Sequence, residues 1–290
     1  MSKNGFIQSA RTKAVVKNLL NLQGERNVFS SPDELAQAGE YISDHFRNCG
    51  LDVWEEPVPF DGTESKNIFG IQTGTEKGLF IIGAHYDTVR NTPGADDNAS
   101  AVSALLEIAH CLQSVTLRRS LIFCGFTLEE YGCIGSKLYA ENLMQQRNEV
   151  IGMISLEMVG YRDSSYGSQT YPEYVDASRY PNQGDFIALV GNEPSELLTL
   201  DLKKGMKKSV PDLPIELLIV PGSGDDFYDV RLSDHSPFWG NGIPAVMITD
   251  TAFFRNPNYH KPSDTIDTLD FEFIRDVAQA VSGFLHFYLS

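Results

Sequence analysis

Residues that could bind a metal ion or transfer a proton lie in five short clusters, and the first four closely follow apolar segments. Imidazole and carboxylate groups are the ligands that suit a catalytic zinc ion. Two histidines and several carboxylates near strand ends therefore indicate a metal site. The clusters are His85-Tyr86-Asp87, Ala95-Asp96-Asp97-Asn98, Leu128-Glu129-Glu130, Ser155-Leu156-Glu157 and Asn258-Tyr259-His260.

The spacing within two clusters predicts roles for individual side chains. His85 ends an apolar segment and Asp87 follows two residues later, so both side chains point the same way in an extended chain. A carboxylate there can receive the second ring N–H of a metal-binding histidine. Glu129 and Glu130 are adjacent, so in an extended chain they point to opposite sides, one toward a metal and one toward the open side of the site.

The elements that must position these clusters alternate between apolar strands and helices. This alternation predicts an α/β fold with a mostly parallel central sheet that is covered by helices on both faces. Sites in such sheets form at the carboxyl ends of the strands, where four of the clusters lie. Strands are predicted at 51–59, 66–73, 78–84, 120–126, 150–157, 186–190, 215–220 and 245–249; two helices are predicted within the first 50 residues, and others at 99–112, 135–145, 196–208 and 271–289.

Composition narrows the class of protein. The chain has 290 residues, of which 42% are hydrophobic, and no linker or repeat divides it, so a single domain over 1–290 is predicted. A formal net charge of -16 disfavours nucleic acid and anionic membranes as partners. The four cysteines, Cys49, Cys111, Cys124 and Cys133, lack metal-type spacing and are predicted to be buried free thiols.

The N-terminal residues bear on the cellular location. No apolar run reaches the roughly 18 residues that a membrane-spanning helix needs. The first 20 residues also lack the apolar core and cleavage site of a signal peptide. A cytoplasmic protein is therefore expected, or a secreted or periplasmic one if a leader has been trimmed.

The five clusters, in this order and spacing, resemble the co-catalytic zinc aminopeptidases, a family of zinc exopeptidases that includes the bacterial leucyl aminopeptidases and glutamate carboxypeptidases. The resemblance spans roughly residues 66 to 290. It implies a mixed, mostly parallel sheet of the phosphorylase/hydrolase-like zinc exopeptidase fold. The motifs that carry it are GAHYDTV, PGADDNASA, TLEEYG, SLEMVGY, SDHSPF and NPNYHKPSDT.

Carried over by position, the resemblance implies two Zn²⁺ ions per chain. Asp97 would bridge them, with His85 and Glu157 completing one ion and Glu130 and His260 completing the other. Glu129 would be the general base, Asp87 would orient His85, and Tyr259 would stabilise the oxyanion. Many members have Asp where this chain has Glu157, which could change the metal spacing. Cobalt or manganese could also occupy such ligands.

A second histidine competes for the last ligand position. His235 precedes an apolar strand, whereas His260 follows it, so the strand-end rule and the resemblance both favour His260. His235 is expected to pack beneath the site with Asp234 as its partner.

The implied reaction is hydrolysis of the N-terminal peptide bond of peptides with a free N-terminus, using a metal-activated water. A carboxypeptidase or dipeptidase is an alternative, but a free carboxylate needs clustered cations, and Arg162, Arg179, Arg231 and Arg255 show no clear cluster. A glutaminyl cyclase with one zinc and a non-enzymatic relative with a decayed site are further alternatives. The complete ligand set disfavours both.

One long segment could select the substrate. Residues 161–185 follow the Glu157 strand and contain five tyrosines. We expect this segment to form a wall of the pocket for the first side chain of the substrate and to favour apolar residues. The loop at 221–233, which contains Asp225, Asp226 and Arg231, is a further candidate lining of the site.

Overall fold

A computed structural model describes residues 8–147 and 149–290. The first seven residues belong to the segment that shows no signal-peptide pattern, and they lie outside the described residues. Its eight strands form one sheet in the order β1-β2-β4-β3-β5-β8-β6-β7. The strands are β1 (Asp52–Phe60), β2 (Thr63–Gln72), β3 (Leu79–His85), β4 (Ser120–Phe126), β5 (Val150–Glu157), β6 (Ile187–Asn192), β7 (Ile215–Val220) and β8 (Ala245–Thr249).

The sheet is mixed and mostly parallel, as predicted. β4, β3, β5 and β8 pair in parallel and form its centre, and β6 pairs in parallel with β7. β1 and β2 form an antiparallel hairpin whose turn residues, Asp61 and Gly62, both have positive φ. β2 is antiparallel to β4, and β6 is antiparallel to β8.

Seven helices are described within these residues, and they cover both faces of the sheet. α1, α2, α3, α5 and α7 pack on one face, and α4 and α6 pack on the other. Alternate strand residues serve the two cores, as Ile82 and Ile81 do. The helices are α1 (Thr12–Asn21), α2 (Pro32–Asn48), α3 (Ala101–Leu112), α4 (Ile134–Gln145), α5 (Glu196–Ser209), α6 (Ser236–Gly240) and α7 (Phe271–Leu289).

The predicted elements agree with this architecture except for the short helix α6, whose five residues give no usable periodicity. All four cysteines are buried and free, as predicted. No helix in the described part of the chain is long and apolar enough to cross a membrane. The carboxyl ends of β3, β4, β5 and β8 meet at one edge of the sheet, and the predicted ligands follow from these ends.

Candidate metal centre

His85 and Glu157 end neighbouring strands and face one oxygen of Asp97. His85 is the last residue of β3 and is fully buried. Its Nε2 atom lies 3.3 Å from Asp97 Oδ1 and 3.6 Å from Glu157 Oε2. These three side chains form one half of a candidate site.

His260 and Glu130 face the other oxygen of Asp97. His260 Nε2 lies 3.1 Å from Asp97 Oδ2 and 3.2 Å from Glu130 Oε2. The two oxygens of Asp97 therefore point to different histidines, which is the arrangement that a bridging carboxylate needs. All five side chains predicted as metal ligands come together at the carboxyl edge of the sheet.

Glu129 lies beside the half of the site that contains His85. Its side chain is 12% exposed, and its Oε2 atom lies 3.8 Å from His85 Nε2. Glu129 Oε1 accepts a hydrogen bond from the thiol of Cys133 at 3.5 Å. The prediction that Glu129 and Glu130 lie in extended chain is wrong, because Leu128 has a φ of 58° and the N–H groups of Gly132 and Cys133 close a turn on the carbonyl of Glu129. The two carboxylates nevertheless diverge, one toward each histidine.

Asp87 holds both the imidazole and the glutamate turn. His85 Nδ1 lies 3.2 Å from the carbonyl oxygen of Asp87 and 3.6 Å from its Oδ1 atom. The two carboxylate oxygens accept hydrogen bonds from the backbone N–H groups of Glu129 and Glu130, at 3.2 and 3.3 Å. Asp87 thus contacts His85 as expected, and it also fixes the backbone of the two glutamates.

Asp264 supports the loop that carries Asp96 and Asp97 in the same way. The sequence analysis did not assign Asp264 a role. Its buried carboxylate accepts hydrogen bonds from the backbone N–H groups of Asp96 and Asp97, at 2.9 and 3.1 Å. Asp264 lies four residues after His260, so its position within the NPNYHKPSDT motif was the available signal. One short segment therefore carries the predicted ligand His260 and a support for the loop of Asp97.

Asp264→Asn is expected to weaken zinc binding by about 10- to 100-fold, the usual effect of losing an outer partner of a metal ligand. An amide keeps one acceptor oxygen and places an NH₂ group against a backbone N–H. The measurement is zinc affinity by competition with a coloured chelator. Asp267→Asn, at an exposed position nearby, is the matched control. Equal zinc affinity in the two variants would contradict this role of Asp264.

Arg26 contacts the loop that leads to Asp97, and the sequence analysis did not identify it. Its side chain is fully buried, yet no carboxylate of the described residues pairs with it. Instead, Nε donates to the carbonyl oxygen of Tyr86 at 2.7 Å, and Nη2 donates to that of Gly94 at 3.0 Å. Nη1 donates to the carbonyl oxygens of Leu22, Gly24 and Pro93. Arg26 therefore connects the segment before α2 to the two loops that carry His85 and Asp97.

The ionisable groups of the site shift one another strongly. Burial disfavours a charge on His85, but the carboxylates of Glu129 and Glu157 raise its pKa well above the usual value. Burial also acts on Asp97, yet hydrogen bonds from His260 and His85 lower the pKa of its carboxyl group. Burial and the charge of Asp97 raise the pKa of Glu130 to about 7. Closely spaced carboxylates of this kind are stabilised by positive charge.

The residues present fit a bound metal ion. His85 Nε2 and Glu130 Oε1 are buried and have no hydrogen-bond partner within the described residues, as expected of atoms that serve as ligands. His85, Asp97 and Glu130 each offer a ligand atom within 4.8 Å of one another. Imidazole nitrogen and carboxylate oxygen form the donor set of catalytic zinc sites.

The side chain of Glu157 reaches the site, although it is longer than the Asp that many family members have at this position. Its Oε2 atom accepts a hydrogen bond from the Ser233 hydroxyl at 2.7 Å, which fixes the longer side chain toward His85. Ser233 begins the SDHSPF motif, which sequence reasoning had not linked to Glu157.

His235 is buried away from the ligands, as expected, but its predicted partner is wrong. Its Nε2 atom contacts the carbonyl oxygen of Val230 at 2.7 Å, and its ring packs edge-on against Trp239. Both carboxylate oxygens of Asp234 are buried without a hydrogen-bond partner in the described chain. The side chains of Asp234 and His235 therefore lie in different surroundings, although the two residues are adjacent in the chain. Burial lowers the pKa of His235 to about 3.

Two cavities of different character meet at the site. A small, partly enclosed cavity of about 100 Å³ has a largely apolar lining, whereas a larger and more open cleft of about 840 Å³ contains Asp97, Glu129 and His260. Glu157 and Tyr259 line both cavities. The segment 161–185 contributes to the enclosed cavity with Gln169, Thr170, Tyr171, Pro172, Val175 and Tyr180.

The sequence profile of Peptidase family M28 matches residues 67–285, which include every predicted site residue. The chain belongs to Peptidase family M28. Family membership confirms the resemblance found in the motifs and makes the chain a metallopeptidase of the exopeptidase type, with peptides as its substrates.

Two relatives of this M28 chain differ in how much of their length it spans. YfbL from Escherichia coli strain K12 is 39% identical over 266 residues, which cover 87% of this chain and 79% of YfbL. Aminopeptidase YwaD from Bacillus subtilis strain 168 is 26% identical over 233 residues, which cover 77% of this chain but only 45% of YwaD. The chain therefore spans less than half of the length of that aminopeptidase.

Solved structures share the M28 fold of the chain. The LapA aminopeptidase of Legionella pneumophila matches 97% of this chain and 73% of its own length, with a TM-score of 0.76 and 19% identity. The zinc aminopeptidase BSAP of Bacillus subtilis matches 80% and 52%, with a TM-score of 0.60 and 25% identity. A glutaminyl cyclase from Porphyromonas gingivalis matches 96% and 97%, with a TM-score of 0.72 and 19% identity. Fold alone thus does not separate peptidase from cyclase.

Proposed function

We propose that this M28 chain is an aminopeptidase that holds two zinc ions and removes apolar residues from the N-termini of peptides. One observation carries the proposal: a small, partly enclosed apolar cavity and a larger, more open cleft meet at Glu157 and Tyr259. An enzyme that removes one residue at a time needs a closed pocket for that residue and an open path for the rest of the peptide. His85 and Glu157 would hold one ion, Glu130 and His260 the other, and Asp97 both.

The enclosed cavity suits an aliphatic side chain. Ala188, Val190 and Met247 form part of its wall on the strands β6 and β8. An apolar cavity of about 150 Å³ is large enough for benzene, so one of about 100 Å³ suits a smaller group such as the side chain of leucine. The free amine of the substrate would meet Glu129 and Glu157, whose carboxylates complement its charge.

When bound, zinc supplies Lewis-acid activation of water and of the scissile carbonyl group. Glu129 takes the proton of the attacking water and passes it to the leaving amine. Burial raises the pKa of Glu129 well above the usual value, which suits a group that must carry a proton between these steps. Tyr259 donates its hydroxyl hydrogen to the developing oxyanion. Burial and the surrounding carboxylates raise the pKa of Tyr259, so the phenol stays protonated as a donor.

A glutaminyl cyclase is the competing function that the shared fold brings forward. The number of metal ions distinguishes the two functions, because a glutaminyl cyclase would hold one zinc ion and the aminopeptidase two. Here each oxygen of Asp97 faces its own histidine, and each histidine also has a carboxylate partner. This doubled ligand set supports two ions and hence the aminopeptidase.

The proposal is tested with leucine p-nitroanilide, its N-acetylated form and an N-terminal glutaminyl peptide. We expect zinc-dependent release of p-nitroaniline from the free amine only and no cyclisation of glutamine. Equal cleavage of the N-acetylated compound would contradict aminopeptidase specificity. Cyclisation together with one zinc ion per chain would favour the cyclase.

Ala188→Leu should change the preferred first residue because the added carbons occupy the enclosed cavity. Differences of this size in an apolar pocket alter discrimination by about 10- to 200-fold. We therefore expect the ratio of kcat/KM for leucine over alanine p-nitroanilide to fall by at least about 10-fold. The ratio is measured within one enzyme preparation, so partial loss of active protein cancels. An unchanged ratio would place the first side chain elsewhere.

A further inference from the structure

The open cleft continues from the metal centre toward α4, α6 and the loop that precedes α6. Its far side is lined by residues of these elements, including Lys137 of α4 and Arg231 of the loop. If the first residue of a peptide fills the enclosed cavity, the rest of that peptide must lie in this cleft. The groups on the far side therefore decide which peptide ends fit.

Arg231 lines the open cleft, where a bound peptide could contact it. Of the four arginines considered as carboxylate ligands, it is the one in the lining of the open cleft. Arg162 pairs with Asp270, and Arg255 is buried against Gln169. Arg179 is exposed and lies outside the lining of either cavity.

The guanidinium of Arg231 is held by two backbone carbonyl groups and by one largely exposed carboxylate. It donates to the carbonyl oxygens of Ser223 at 3.2 Å and Ser236 at 3.4 Å, and it lies 5.9 Å from the Trp239 ring centre. Its carboxylate partner, Asp225, lies at 2.7 Å and is 71% exposed. Exposed ion pairs contribute little, so a second carboxylate can replace Asp225 at small cost.

The remaining charge of the cleft makes these cations necessary for an anionic peptide end. Glu130 and Glu157 would be neutralised by the zinc ions that they hold, but Glu129 and Glu141 line the same cleft and repel a carboxylate. Lys137 has no ion pair within the described residues and lies one helical turn before Glu141. Arg231 supplies the planar fork that matches a carboxylate, and Lys137 adds a second positive charge.

We propose that Arg231, assisted by Lys137, binds the free C-terminal carboxylate of dipeptides and tripeptides. The inference rests on the proposed aminopeptidase function and specifies its substrate class. The cleft of about 840 Å³ contains both the predicted metal ligands and these two cations. An extended peptide advances about 3.5 Å per residue, so a short peptide whose first residue lies at the metal centre brings its terminal carboxylate into the same cleft. Longer peptides place an uncharged backbone, rather than a terminal carboxylate, beside Arg231.

The test compares Leu-Gly and Leu-Gly-Gly with the same peptides amidated at the C-terminus. For the wild-type enzyme, kcat/KM should be about 10- to 100-fold higher for the free acids, the usual effect of a charge-assisted hydrogen bond. Arg231→Gln should bring this ratio close to one, mainly through KM. Arg231→Lys should give an intermediate ratio because it keeps the charge and loses the fork. Arg179→Gln is the matched control and should keep the wild-type ratio.

The outcomes separate this inference from the proposed function. If leucine is released from acids and amides with equal kcat/KM, the carboxylate subsite is wrong and the aminopeptidase stands. A wild-type preference for acids that persists in Arg231→Gln also overturns the subsite. If neither form releases leucine in the presence of zinc, the proposed function fails and the subsite fails with it. Because each ratio is internal to one variant, a loss of folded protein does not imitate any of these results.

Discussion

Glu129→Gln is expected to reduce kcat by at least about 100-fold while zinc content stays at the wild-type level. Glutamine preserves the shape of the side chain but cannot accept the proton of water. The five predicted ligands are other residues, and Glu129 lies further from His85 than Asp97 or Glu157 does, at 3.8 Å. The measurement combines hydrolysis of leucine p-nitroanilide with zinc analysis of the same preparation.

The control for this variant is Glu40→Gln, at an exposed position of α2 that lines neither cavity of the site. It should retain the wild-type kcat. Wild-type turnover in Glu129→Gln would refute the general-base assignment. Loss of zinc together with loss of turnover would instead make Glu129 a metal ligand.

Arg26→Met is expected to lower the free energy of unfolding by at least about 3 kcal/mol, because buried acceptors that lose their donor cost about 1–3 kcal/mol each. The guanidinium donates to five backbone carbonyl groups, and methionine fills part of its volume without any donor. The loop that carries Asp97 loses its support at Gly94, so zinc affinity should fall as well. Denaturant unfolding and chelator competition measure the two effects.

Arg26→Lys separates charge from hydrogen bonding, since lysine keeps the charge but offers fewer donors in a different geometry. It should also be destabilised, though by less than Arg26→Met. Arg47→Met, at an exposed position in a surface pair with Asp44, is the matched control and should unfold like the wild type. Wild-type stability in Arg26→Met would contradict the role given to this network.

The strands and long helices could be predicted because their residues carry periodic or continuous apolar patterns. β4 and β5 have the predicted bounds, and α7 matches as well. The ligands could be placed together because the carboxyl ends of parallel strands meet at one edge. α6 was missed since five residues around a proline show no helical period.

The supports of the site could not be read from local patterns. Asp264 and the contacts of Arg26 with Tyr86, Pro93 and Gly94 join residues far apart in the chain, so the place of Asp264 in the NPNYHKPSDT motif marked it without revealing its partners. Nearness in the chain was also misleading, because the adjacent residues Asp234 and His235 were expected to pair and instead lie in separate surroundings. Side-chain identity indicates chemistry, but only the packed fold shows which backbone groups a buried charge meets.

The most direct test is a crystal structure of the zinc-loaded protein with anomalous data collected at the zinc edge. We expect two anomalous peaks roughly 3.5–4 Å apart, one on each side of the Asp97 carboxylate. One peak should contact His85 and Glu157, and the other Glu130 and His260. A single peak, or peaks bound by other residues, would contradict the central claim that Asp97 joins two zinc ions at the edge of the sheet.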